Sequence, residues 1–290
     1  MLLRPRFLLA KESASGLPVN LEPWLNKHSI TLSLAIFNGL FLIQNGLDIA
    51  FLWSGEALPM GVTYAEYAHA GFYPLLAINL LTAVFVLMTY GEHQQNFQTD
   101  MAKKLVLVWL GQNIFLTLSA INRLLQYIEA YSLTYQRIAA LMAMVLTAIG
   151  LLLIIARILG KHRNVWLINA NAIALVVTLY GACFVNMERI IADFNVRHCL
   201  EVTALGSNID LPYLHSLGSE SLPALRWFQA NAKYSPVQAR NAGEFVKDLE
   251  QQLSKDISDW RAWTWRKYRQ LQYLPSPLKA IPIGNTGWQY

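Results

Sequence analysis

Five long apolar runs dominate the chain between about residues 29 and 185, and few ionisable residues interrupt them. The runs cover residues 30–53, 71–90, 105–128, 138–159 and 165–185. A helix needs about 20 apolar residues to cross a bilayer, and only helices or closed barrels satisfy their backbone polar groups in lipid. Each run is too long for a strand. The pattern therefore predicts an all-α membrane protein with a bundle of five transmembrane helices at residues 30–185.

The pattern changes after residue 185, where charged and apolar positions mix. Residues 186–290 therefore predict a small, mostly helical soluble tail. Leu211, Leu214 and Leu217 share one helical face, which predicts a short helix. Ser221 and Pro223 have the residue types of a helix start, so a second short helix is expected to follow.

Apolar residues recur at three- and four-residue steps from 244 to 274, which predicts one amphipathic helix. Its later part, WRAWTWRKYR at 260–269, is aromatic and basic. Two interpretations of this helix stay open. It lies on a membrane surface, as aromatic and basic helices do, or it faces the core of a tail subdomain.

Composition agrees with a membrane protein, since 14% of residues are charged against about 25% in soluble domains. Lys and Arg number four in residues 1–29, none in 54–70, two in 91–104, one in the loop before residue 138 and three in 157–164. Basic residues concentrate on the cytoplasmic side of a membrane. We therefore expect a cytoplasmic N-terminal segment at 1–29 and a tail on the outer side, which in a bacterium is the periplasm. The same rule accounts for the basic residues without nucleic-acid binding.

Polar residues within the predicted spans are the best functional pointers, because they are costly in lipid. Asn38, Asn45 and Asp48 share one face of the first span. A similar face of the third span carries Gln112, Ser119, Arg123 and Gln126. The two spans run in the same direction, so Asp48 and Arg123 lie at comparable depth near the outer end. We expect the two charges to pair.

The candidate site is a polar cluster at the outer mouth of the bundle. Its members are Asn45, Asp48, Tyr64, Glu66, Tyr67, His69, Arg123, Gln126 and Glu129. One interpretation is structural, since amides and buried ion pairs join helices and set their register. The other is a substrate or ion site.

The sequence contains no complete catalytic or cofactor motif and no helical metal pair, so neither a cofactor nor a metal is predicted. A Glu66–Glu129 pair would supply acid–base chemistry only if the two loops meet. A disulfide between Cys183 and Cys199 is chemically permitted on the outer side. The simpler interpretation places Cys183 in the fifth span as a small apolar residue.

Four segments carry a resemblance to a known family. They are VTYAEYAHAGFYPL at 62–75, RLLQYIEAYSLT at 123–134, IIADFNV at 190–196 and IDLPYLHSLG at 209–218. In these segments the chain resembles an uncharacterised bacterial membrane family, known as a domain of unknown function in the 4173/4153 group. The resemblance implies a multi-pass inner-membrane protein with a tail and supplies no reaction. Members of that family are typically longer, which implies a short form or a missing N-terminal half.

Three functions are compatible with these patterns. The leading hypothesis is a non-enzymatic interaction, sensory or envelope-assembly component, embedded in the lipid bilayer, whose tail meets a protein partner. The second is a transporter or carrier that uses the polar faces of the first and third spans. The third is a membrane enzyme acting on an envelope or lipid-linked substrate at the outer face.

Overall fold

The computed structural model describes residues 27–53 and 100–270, and every regular element within these ranges is a helix. The helices are α1 (Lys27–Phe51), α2 (Asp100–Tyr131), α3 (Tyr135–Gly160), α4 (Asn164–Phe184), α5 (Met187–His198), α6 (Leu200–Thr203), α7 (Leu211–Ser216), α8 (Leu222–Asn231), α9 (Pro236–Ser258) and α10 (Trp265–Arg269), with a 3-10 turn over Gly218–Ser221. Helices α1 to α4 form the bundle. We call the described residues 186–270 the tail.

Four described helices are long and apolar enough to cross a membrane, which indicates a membrane protein. They are the stretch Thr31–Ala50 of α1 together with Asp100–Tyr131, Tyr135–Gly160 and Asn164–Phe184. These correspond to the predicted first, third, fourth and fifth spans. The predicted second span, at 71–90, lies outside the described residues. At 32 residues, α2 is about 48 Å long, more than the roughly 30 Å of a bilayer core, so it extends beyond the lipid.

Helices α1 and α2 run parallel, as the predicted orientation of the first and third spans requires. The Nδ2 atom of Asn38 donates to the Leu105 carbonyl at 3.1 Å. Fifteen positions further along the chain, just past the end of α1, the indole N–H of Trp53 donates to Ser119 Oγ at 3.2 Å. Because both partners advance in the same direction, the N-terminal ends of α1 and α2 lie on one side of the bundle.

A tight turn joins α2 to α3. Ser132 adopts a positive φ of 71°, which reverses the chain within three residues. The Arg137 guanidinium donates to the carbonyls of Tyr131 and Ser132 and lies 4.1 Å from the centroid of the Tyr127 ring. A cation at the C-terminal end of a helix is favoured by the helix dipole. The turn is therefore held by a side chain from α3.

Two hydrophobic cores lie within the described residues. The first lies between the bundle helices and includes Leu34, Val106, Trp109, Leu151 and Leu167. The second begins in the C-terminal half of α2 and continues into the tail. Its bundle members are Leu116, Ala120, Leu124, Ile128, Leu133 and Met144. Its tail members come from α5, α7, α8, α9 and the segments between these helices. The tail is therefore not a separate unit on a linker, because it shares buried side chains with the bundle.

The side chain of Asn195 joins the tail to the α2–α3 turn. Its Oδ1 accepts a hydrogen bond from the Leu133 N–H at 2.6 Å, and its Nδ2 donates to the Leu133 carbonyl at 3.0 Å. Nearby, the hydroxyls of Ser132 and Ser207 are 2.7 Å apart. Asn195 is buried, so these bonds satisfy polar groups that water does not reach.

The predicted short helices of the tail are present as α7 and α8. Leu211, Leu214 and Leu217 are all buried, as their shared face predicted. Ser221 stands at the N-cap position of α8, and a proline lies in the first turn. The Ser221 hydroxyl donates to the Gly218 carbonyl, however, and makes no capping bond to the helix.

The prediction of one amphipathic helix over 244–274 is wrong, since two helices occupy its described part, and residues 271–274 lie outside the described residues. Helix α9 begins earlier, with Pro236 in its first turn, and ends at Ser258. The Asp259 carboxylate then accepts a hydrogen bond from the Arg261 N–H at 3.0 Å, and Thr264 Oγ1 caps a new helix by accepting from the Lys267 N–H at 3.2 Å. Such local side-chain bonds compete with a continuous helix. The apolar face of α9 packs in the tail core, whereas residues 260–265, except half-buried Ala262, are exposed.

Replacing Asn195 by alanine should loosen the tail from the bundle. Asn195→Ala leaves a buried N–H and a buried carbonyl of Leu133 without their partner, which costs on the order of 2–5 kcal/mol. We expect this loss in a denaturant titration of the purified chain in detergent, followed by tryptophan fluorescence. Asn208→Ala is the matched control, because Asn208 is exposed, and its change should stay within about 0.5 kcal/mol. Equal effects of the two substitutions would contradict the proposed role of Asn195.

Candidate functional site

Asp48 and Arg123 form an ion pair between α1 and α2. The Arg123 guanidinium donates to Asp48 Oδ1, and the two side chains are 12% and 4% exposed, Arg123 first. Gln44 Nε2 also donates to Asp48 Oδ1, at 3.2 Å. The pairing follows from helix geometry, since the two residues lie at matching depth on parallel helices. Each charge neutralises one that lipid would disfavour.

Amide side chains continue the polar contact along the same helix interface. Asn38 Nδ2 donates to the carbonyls of Leu34 and Leu105, and Gln112 Nε2 donates to the Asn38 carbonyl at 3.3 Å. Asn45 Nδ2 reaches the Gln112 carbonyl at 3.5 Å. Apart from the Asn38–Leu34 bond, which lies within α1, these bonds join side chains of one helix to the backbone of the other, so they fix the register of α1 against α2.

The interface also holds buried oxygens that accept no hydrogen bond from the described residues. They are Asn38 Oδ1, Asn45 Oδ1, Asp48 Oδ2 and Gln112 Oε1. All four are acceptors, so the partner that suits them is a hydrogen-bond donor or a cation. The interface therefore combines a neutralised ion pair with spare acceptor capacity.

The structure brings together part of the predicted polar cluster. Asn45 and Asp48 are buried on one face of α1, and Arg123 lies against them from α2. Gln126 is half-buried and Glu129 is exposed toward the end of α2. The remaining predicted members, Tyr64, Glu66, Tyr67 and His69, lie outside the described residues. The proposed Glu66–Glu129 pair stays a prediction for the same reason.

Sequence reasoning missed a cavity of about 520 Å³ in the tail, lined by Leu200, Glu201, Ala204, Asn208, Tyr234, Ser235 and Gln238. Both carboxylate oxygens of Glu201 accept from the Ile209 N–H at 3.1 Å. This bond holds the loop after α6 and accounts for the burial of Glu201. No local pattern marks the cavity, because its lining comes from two separate segments of the chain, within residues 200–208 and 234–238.

Cys199, beside this cavity, is a buried structural thiol. Both cysteines are free, so the disulfide considered from the sequence is not formed. Burial, followed by the nearby Glu201 carboxylate, raises the pKa of Cys199 to about 11. A thiol with such a pKa is protonated at neutral pH and is a poor nucleophile.

Among the described residues, no group of three or more His, Cys, Asp or Glu side chains could hold a metal ion.

Comparison with known proteins places the chain in a family but gives no reaction. A family described as "Domain of unknown function (DUF4153)" matches residues 1–227, so the chain belongs to that family. No curated protein matches the chain, and no solved structure does. The resemblance recognised in the sequence is thereby confirmed as an uncharacterised family.

Exchanging the charges of the ion pair should test whether the pair holds the bundle. Asp48→Arg alone places two cations in one buried contact, and breaking a buried pair costs about 3–5 kcal/mol. The double change Asp48→Arg with Arg123→Asp restores opposite charges, so we expect it to recover most of the loss. Retained folded protein after detergent extraction and heating is the measurement. If the double variant is no more stable than Asp48→Arg alone, the pairing does not stabilise the bundle.

The Cys199 thiol should resist alkylation while the chain is folded. With a pKa of about 11 against the ordinary 9.0, its thiolate fraction at pH 8 is roughly 100-fold smaller than that of an exposed thiol. The neutral buried thiol contributes stability that is fully present below pH 9 and is lost as the pH rises toward 11. Iodoacetamide labelling of Cys183→Ala, with and without denaturant, measures this by mass spectrometry. Similar rates in both states would show that Cys199 is accessible.

Proposed function

We propose that this member of the DUF4153 family is a non-enzymatic component of a bacterial inner membrane. Its tail, in the periplasm, provides a surface for a protein partner in sensing or envelope assembly. The observation that carries the proposal is the second hydrophobic core, which continues from α2 and α3 into the tail. The Asn195–Leu133 hydrogen bonds close that core at the membrane side.

A shared core has a mechanical consequence for binding. A tail on a flexible linker would sample many orientations, whereas a tail packed on α2 keeps its surfaces at one height and one orientation. Binding to such a tail loses little orientational freedom. It also couples the partner to α2, because packed cores transmit displacement instead of absorbing it. Both properties suit an assembly or sensory component.

A transporter or carrier is the second candidate, and one observation favours it. The buried oxygens of Asn38, Asn45, Asp48 and Gln112 accept no bond from the described residues, and a translocated cation or polar solute would supply their missing donors. Asp48 and Arg123 are in direct contact, however. Transport through this interface would require that contact to open. A membrane enzyme acting at the outer face, the third hypothesis, rests on no contact among the described residues.

Site-specific photo-crosslinking in native membranes tests the proposal. A photoreactive residue replaces Arg240 or Lys247, which are exposed on α9, or, as a comparison, Leu175, which is exposed on α4. We expect one discrete protein adduct from the α9 positions. Asn195→Ala should reduce its yield several-fold, while Asn208→Ala leaves the yield unchanged.

Two results would overturn the interaction hypothesis. The first is the absence of any protein adduct from the tail positions in a correctly folded chain. The second is solute or cation uptake by proteoliposomes of the purified chain that Asp48→Asn abolishes. The second result would establish the transporter in its place, because it needs no partner.

A further inference from the structure

The segment 260–269, which we call the aromatic–basic segment, has large apolar side chains in the open. Trp260 is 72% exposed and Trp265 is 62% exposed. The indole of Trp265 stacks on the Tyr268 ring with centroids 5.7 Å apart. Neither tryptophan belongs to a hydrophobic core. Rings this exposed in water are normally covered by a lipid or a partner.

The position of the segment indicates what covers these exposed rings. Arg266 Nη2 donates to the carbonyls of Cys183 at 3.4 Å and Phe184 at 3.5 Å. These carbonyls belong to the last turn of α4, a helix long and apolar enough to span a membrane. Tyr180 and Phe184, with ring centroids 4.9 Å apart, are exposed in the same turn. The aromatic–basic segment therefore lies at the level where α4 leaves the lipid.

The charges of the segment fit a lipid surface. Lys267 Nζ forms an ion pair with Asp256 Oδ2 at 2.8 Å. The arginines of the segment, Arg261, Arg266 and Arg269, are exposed. The Arg261 guanidinium lies 5.5 Å from the Trp260 ring centroid. Arginine binds phosphate oxygens with two parallel N–H groups, and indole rings prefer the boundary between headgroups and acyl chains. Rings and guanidinium groups thus match two adjacent layers of a membrane.

We propose that the aromatic–basic segment is an interfacial anchor that binds the phosphate headgroups of anionic phospholipids, in the leaflet where α4 ends. The anchor holds the end of α9 on the membrane, at a second place besides the Asn195 contact. A protein partner is the less suitable occupant, because the bilayer around α4 already fills the space beside this turn. The anchor does not depend on the proposed interaction function, since lipid binding needs no partner.

Depth-dependent quenching tests the anchor on the full chain in nanodiscs. A fluorophore is attached at Trp260→Cys in a Cys183→Ala background. Cys199 is buried, and the background chain without Trp260→Cys measures any labelling there. Val237→Cys is the control site, exposed and at the far end of α9, about 30 Å along the helix from Ser258. We expect lipids with spin labels near the headgroup to quench the fluorophore at 260 at least twofold more strongly than at 237.

The lipid preference is tested by a charge variant with a matched control. Spin-labelled phosphatidylglycerol should quench the fluorophore at 260 about twofold more than spin-labelled phosphatidylcholine. The double change Arg261→Gln with Arg269→Gln, which leaves the Arg266 contact with α4 in place, should abolish that ratio. The double change Arg240→Gln with Lys247→Gln removes the same charge from the exposed surface of α9 and should preserve it.

Three results would overturn the anchor. Equal quenching at 237 and 260 would assign lipid contact to the whole tail. No quenching at 260 in a chain with an intact unfolding transition would show that lipid does not contact the rings, and a protein partner would then be the occupant. Loss of the phosphatidylglycerol preference on adding inorganic phosphate at constant ionic strength would identify free phosphate as the ligand.

Discussion

The paired hydrogen bonds between Asn195 and the Leu133 backbone are the contact on which the placement of the tail depends. They lie where the membrane helices turn, and the shared core surrounds them. A buried peptide group without a partner is costly, so the tail cannot shift along α2 without losing both bonds. This constraint and the shared core together hold α5, α7, α8 and α9 against the bundle.

Some of this arrangement could be predicted from the sequence, and the physical reason is periodicity. Run length predicts the four spans found among the described residues, and helical repeat and depth predict the contact of Asp48 with Arg123. The role of Asn195 was not predicted, because one amide side chain that hydrogen-bonds a distant backbone produces no repeating pattern in the sequence. The end of α9 was not predicted, because Asp259 and Thr264 act through local hydrogen bonds while the apolar repeat continues past them. The part of the candidate site at 64–69 depends on residues outside the described ranges.

The α1–α2 interface shows how a polar face is accommodated between membrane helices. The ion pair removes net charge, and the amides exchange bonds with the opposite backbone. Four acceptor oxygens of the interface receive no hydrogen bond from the described residues. These unused acceptors matter, because a purely structural contact gains nothing from them. It is the reason that transport stays a second hypothesis.

The tail is therefore held in two physically different ways. Near α2 the contact between tail and bundle is made of buried side chains and the Asn195 amide. Salt or lipid composition should hardly change the strength of this buried contact. Near α4 the contact is made by Arg266 on helix-end carbonyls, and the anchor that we propose adds contacts of exposed rings and arginines with lipid, which depend on the charge of the membrane. Helix α9 connects the tail core to the second contact. In the anchor that we propose, a change in membrane charge therefore acts on the C-terminal end of α9, whereas the buried apolar face of α9 stays packed in the tail core.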